Sequence, residues 1–82
     1  MNNNLPTKII QTKVIPLTNT RSSKIKAFDA EGNIIIIKKD LLDGNYFKQH
    51  LAVAEILMNR MGWKGKLIGG ETQWGYAFAI VN

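Results

Sequence analysis
The stretch Tyr46–Met61, YFKQHLAVAEILMNRM, leaves the rest of the chain little choice of architecture. At about 100° per residue around a helix, Phe47, Leu51, Ala54, Met58 and Met61 fall in one stripe. Tyr46, Val53 and Leu57 lie beside it. Lys48, Gln49, Ala52, Glu55, Asn59 and Arg60 take the other side, where Ile56 is the one large apolar residue. Asn45 is suited to cap the first turn, because its side-chain oxygen can accept from a free amide. Gly62 can take the left-handed conformation that ends a helix, and Trp63 follows where a closing apolar contact belongs. A helix with so wide an apolar face must lie on something. No other segment has a helical period, so that something is a sheet.

The remaining segments supply the strands. Thr7–Ile15 alternates, with Ile10, Thr12 and Val14 on one face and Ile9, Gln11, Lys13 and Ile15 on the other. Pro16 either closes this strand or marks it as an edge, since proline offers no amide to a ladder. Lys24–Ala30 and Asn33–Lys39 form a hairpin around Ala30-Glu31-Gly32-Asn33. Ile34–Ile37 is apolar on both faces, which predicts a central strand, or one covered on its second face by the N-terminal segment. Lys64–Ile68 opens a fourth strand and Gly69–Gln73 reads as a turn. Trp74–Val81 is a fifth strand. Trp74, Tyr76, Phe78 and Ile80 share one face; Gly75, Ala77, Ala79 and Val81 share the other, where small side chains would let a helix sit close. The expected fold is α+β, with one antiparallel or mixed sheet of about five strands packed on a single helix in the order βββαββ.

Size and charge bound the function. Eighty-two residues make a single domain, which buries roughly 60–65% of its unfolded surface. Residues 1–6 are expected to be flexible. There is no cysteine, so disulfides and thiolate metal sites are excluded. A lone histidine makes a histidine metal cage improbable in a monomer, and neither a metal nor a cofactor is expected. No apolar run is long enough to span a membrane, and MNNNLPTK lacks the apolar core of a secretory leader. The net charge is +5, and Lys8, Lys13, Arg21, Lys24 and Lys26 all precede the first carboxylate, Asp29. Such asymmetry suits an anionic partner, although it also suits plain solubility.

Several short patterns occur in a fixed order: T-N-T-R at Thr18–Arg21, I-K-A at Ile25–Ala27, His50 in the helix, Gly62-Trp63, Gly69-Gly70 and Gly75-Tyr76. Over about Lys13–Val81 the chain resembles a group of small proteins of bacteriophages and other mobile elements. The resemblance implies an accessory protein acting in the cytoplasm of a bacterial host, without implying an activity. Ser22-Ser23 stands where a glycine often follows the arginine in that group, which makes this loop less permissive.

The first candidate site is Thr18, Asn19, Thr20, Arg21 and Ser22. Arginine meets a phosphate or carboxylate with two parallel hydrogen bonds, and neighbouring hydroxyls and loop amides add donors. Lys24 and Lys26 follow on one strand face. The ordinary alternative is a polar connection whose side chains cap local backbone. His50 falls inside the apolar arc of the helix, either as a hydrogen-bonded core residue or facing the Thr18–Arg21 loop. Trp74 or Tyr76 could stack on a base, and Gly69, Gly70 and Gly75 would otherwise serve a hairpin turn. No phosphate loop, dinucleotide fingerprint or catalytic triad spacing is present.

These residues support a non-enzymatic binder. In the leading form it sequesters a phosphate-bearing ligand, such as a nucleotide signal of host defence. The alternatives are a sequence-independent nucleic-acid binder using the basic strand face, and an inhibitor of a host protein, of anti-CRISPR type, working through a sheet edge. A homo-oligomer is compatible with each.

Overall fold
The computed structural model describes residues 8–16 and 23–81. Five strands and one long helix follow in the expected order. They are β1 (Ile9–Ile15), β2 (Lys24–Phe28), β3 (Ile34–Lys38), a single 3-10 turn at Lys39–Leu41, α1 (Tyr46–Arg60), β4 (Lys66–Glu71) and β5 (Gly75–Val81). The strands form one sheet in the order β3-β2-β1-β5-β4, and every neighbouring pair is antiparallel. The helix lies on one face, over β2, β1, β3 and β5.

The helix ends where its sequence says it should. The Asn45 side chain accepts from the Lys48 amide at 2.9 Å. At the other end the Trp63 amide donates to the Met58 carbonyl and the Gly62 amide to the Asn59 carbonyl. This crossed pair of bonds needs a left-handed residue, and Gly62 supplies it with φ of 76°. The face it buries is rotated from the expected stripe. His50, Val53, Ala54, Leu57 and Met58 are buried, whereas Phe47 and Met61 are exposed. Leu51 is only partly buried and packs at the margin of the core. The sheet presents Ile10, Ile25, Ala27, Ile35, Tyr76 and Phe78 to that face, with Val14, Ile37, Leu67 and Ile80 around them.

The sheet corrects the placing of β3 and of the helix on β5, and decides between the two readings of Pro16. β3 is an edge rather than a central strand, because β1 takes β2 on one side and β5 on the other. Its Ile34 and Ile36 are therefore 51% and 49% exposed; any cover from residues 1–7 lies outside the described residues. β1 is the central strand, so Pro16 closes it and does not mark an edge. Finally, the helix sits on the Tyr76–Phe78–Ile80 side of β5 and not on its small-residue side. The large apolar side chains have more surface to remove from water, so they claim the covered face.

Glycines serve close contacts elsewhere. Gly69 pairs with Phe78 across the sheet, and a Cβ on it would meet the Phe78 ring. A Cβ on Gly75 would meet the Thr12 carbonyl oxygen of β1. Gly69-Gly70 thus belongs to β4 rather than to a turn. The turn itself is Thr72–Trp74, held by the Thr72 hydroxyl, which accepts from the amides of Gly75 at 3.0 Å and Trp74 at 3.3 Å.

Candidate functional site
Alternation on an antiparallel sheet sends neighbouring side chains to opposite faces. With Ile10, Thr12, Ile25, Ala27 and Ile35 turned to the helix, the other face of β1–β3 carries Gln11, Lys13, Lys24, Lys26, Phe28, Ile34, Ile36 and Lys38. No described element covers that face.

Register turns this list into a pattern. Lys13 lies directly opposite Lys26, and Lys24 directly opposite Lys38. The Asp29 amide donates to the Asn33 carbonyl, and the Lys39 amide to the Ser23 carbonyl. Counting in twos between those bonds makes Lys24–Lys38 a non-hydrogen-bonded pair, with Cα atoms about 4.5 Å apart, and leaves Lys13–Lys26 hydrogen-bonded at about 5.5 Å. Like charges directly opposite each other oppose folding.

Among the described residues, no carboxylate on this face relieves them. Two of the six carboxylates, Asp29 and Glu31, lie in the β2–β3 turn. Asp40 and Asp43 precede the helix, Glu55 is on it, and Glu71 is on the helix side of β4, opposite Tyr76. Among the described residues the one salt bridge is Lys8–Glu31, at 2.9 Å. The apolar members are interleaved with the lysines: Ile36 is the next cross-strand neighbour of Lys26, and the Lys26 ammonium lies 5.1 Å from the centre of the Phe28 ring.

The turn beside this face is tied down locally. Asp29 accepts from the amides of Glu31 and Asn33 and from the Asn33 side chain. Desolvation pushes its carboxyl up. The Asn33 and Glu31 hydrogen bonds, helped by Lys8, outweigh that push and hold it below the ordinary value of 3.8.

His50 belongs to the opposite side of the sheet. It is 0% exposed. Its Nδ1 lies 2.6 Å from the Thr12 hydroxyl oxygen, and its Nε2 has no hydrogen-bond partner among the described residues. The rings of Tyr46 and Tyr76 are centred 4.4 and 5.0 Å from the imidazole. Burial, followed by the nearby charge of Lys39, holds its pKa below the ordinary 6.5. A neutral imidazole under two phenol rings is a core group, in keeping with the core alternative read from the helix arc.

The sequence-predicted site is therefore divided. Thr18, Asn19, Thr20, Arg21 and Ser22 lie outside the described residues. Lys24 and Lys26 are brought together with Lys13 and Lys38 on the uncovered face, whereas His50 has the sheet between it and them. Trp74 is 68% exposed, next to Gly75, which pairs with Lys13. Tyr76 is buried on the helix side and cannot stack on a base at the basic face. Lys13, Phe28, Ile34, Ile36 and Lys38 were missed as site residues. Their two-residue period was visible, but assigning them to the face of Lys24 and Lys26 required the strand register. Among the described residues no three His, Cys, Asp or Glu side chains come close enough to hold a metal, and no helix is long and apolar enough to cross a membrane.

No protein-family model, curated protein or solved structure matches the chain.

Proposed function
We propose that the chain binds single-stranded nucleic acid, without sequence preference, on the uncovered face of β1–β3. The carrying observation is the pair of lysine pairs, Lys13–Lys26 and Lys24–Lys38, set among apolar side chains with no carboxylate on the face. A polyanion converts that repulsion into binding energy, because phosphates neutralise the lysines and release their own counterions. Phe28, Ile34 and Ile36 offer unstacked bases an apolar surface, and Phe28 in particular a ring to stack on.

Dimensions favour a single strand over a duplex. Five strands at about 4.8 Å spacing make a sheet nearly 20 Å across its strand axes, too broad for a major groove about 12 Å wide. A single strand has no groove to enter and can lie on the surface. The reading is of affinity without turnover, and an accessory protein made inside a bacterial cell would meet such ligands. A pocket for one small phosphate ligand that joined Lys24 to His50 has less support, because the sheet separates those residues.

Fluorescence anisotropy with a labelled single-stranded 20-mer tests the proposal. With four lysines on phosphates, a plot of log affinity against log salt should fall with a slope near −3, from about −0.7 per phosphate neutralised on a single strand. Charge reversal at Lys13 and Lys24 together should abolish binding at physiological salt. Affinity that does not respond to salt, or that survives both reversals, removes the reading.

A further inference from the structure
The outer edge of β3 differs from ordinary sheet edges. Edge strands normally carry a proline, a bulge or an inward charge, which keeps their free backbone groups from pairing with another chain. β3 reads Ile-Ile-Ile-Ile-Lys and has none of these along its first four residues. No described strand lies beyond it. By the count that assigned the lysine pairs, Ile35 and Ile37 turn their backbone groups toward β2. Ile34, Ile36 and Lys38 therefore turn theirs outward. The other edge, β4, contains Gly69 and Gly70, begins at Lys66 and ends at Glu71. It is weaker in β-propensity and carries charge at both ends.

We infer that β3 pairs with β3 of a second copy of this chain, antiparallel across a two-fold axis at Ile36. The occupant follows from self-complementarity. Ile36 is the midpoint of the strand, so a two-fold axis there is the register that pairs all five residues. It sets Ile36 opposite its own copy and Ile35 opposite Ile37 of that copy. Lys38 falls opposite the copy's Ile34, so no two lysines meet across the seam. The outward amides and carbonyls of Ile34, Ile36 and Lys38 find partners, and the half-exposed Ile34 and Ile36 lose water. An axis of this kind makes a closed dimer rather than a filament, because each copy uses its one β3 edge.

The pairing does not depend on what the uncovered face binds. It does bear on that face: Lys38 and Ile36 line the seam, so the two basic surfaces become one continuous surface on a sheet of ten strands.

Light scattering on a sizing column, without nucleic acid, is the test. The parent should run at twice the 9.2 kDa chain mass at micromolar concentration. Ile36→Lys places two ammonium groups on the axis and should give a monomer. Ile68→Lys, on the exposed face of β4, should leave the dimer intact. A second measurement avoids any question of whether Ile36→Lys folds. A nitroxide on Ile36→Cys, the chain having no other cysteine, should show dipolar line broadening that disappears on dilution with unlabelled protein. A parent that is monomeric throughout, a dimer that survives Ile36→Lys or is lost with Ile68→Lys, or a label free of broadening each overturns the inference.

Discussion
At the scale of single residues, the contact between His50 and Thr12 carries the most consequence per atom. The imidazole is enclosed, and Thr12 is its one hydrogen-bond partner among the described residues. Thr12→Val keeps the volume and removes the partner, so a buried polar ring is left with neither nitrogen satisfied. Urea denaturation should show a loss of about 1–3 kcal/mol. Adding His50→Leu removes the orphan along with its partner and should recover much of that loss, a non-additivity typical of residues in contact.

The same residue sets a pH dependence. The folded protein holds His50 below the 6.5 of a free imidazole, so the unfolded chain takes up a proton that the folded chain resists. Its contribution is complete above about pH 6.5 and is lost as pH falls toward the folded value. The denaturation midpoint should be lower at pH 5.5 than at pH 7.5, and this difference should vanish in the Thr12→Val, His50→Leu double variant. Asp29, held below 3.8, loses its contribution only in more acid solution, so the two effects separate along the pH axis.

At the scale of elements, the helix was readable in its limits more than in its orientation. Asn45 and Gly62 are local signals that act on the few residues around them, and both hold. The buried arc is decided by the sheet beneath it. Phe47 and Met61 sit on the angular stripe, yet Phe47 is only the second residue of the helix, where its ring meets Tyr76 and Phe78 but stays 39% exposed, and Met61 lies past the helix end. Leu57→Ala should therefore cost about 2–5 kcal/mol in chemical denaturation, as for other core truncations. Met61→Ala should stay within about 0.5 kcal/mol, as for surface changes. Equal losses would mean that the arc is centred elsewhere. β3 teaches the same lesson. Four isoleucines in a row say that both faces tolerate apolar residues, but only long-range pairing decides whether the strand is central. The candidate site was half legible for a related reason: the alternation of Lys24 and Lys26 is local, whereas their juxtaposition with Lys13 and Lys38 exists only once three strands are in register.

At the scale of the whole molecule, the +5 charge is concentrated where it opposes folding. That permits a test in which two properties move in opposite directions. Lys26→Glu puts a carboxylate opposite Lys13 and replaces a repulsive pair with an attractive one. Stability should rise by about 0.2–1 kcal/mol, the usual size of a cross-strand pair, while affinity for single-stranded nucleic acid falls at least several-fold. A variant that gains stability and keeps full affinity would show that these lysines serve some other end.

The central place of β1 also has a temporal side. Ile10 pairs with Phe78 and Thr12 with Tyr76, so the middle of the sheet is closed by residues from opposite ends of the described chain. Closing so long a loop must precede the contacts that reward it, which slows folding relative to a domain built from local contacts. On the ribosome β5 is the last of these strands to be made. Until it clears the exit tunnel, β1 has one vacant flank, and Ile10 and Thr12 lack their cross-strand partners. With a C-terminal linker long enough to span the exit tunnel, a stalled nascent chain should stay sensitive to protease until β5 has emerged, and then become resistant in a single step.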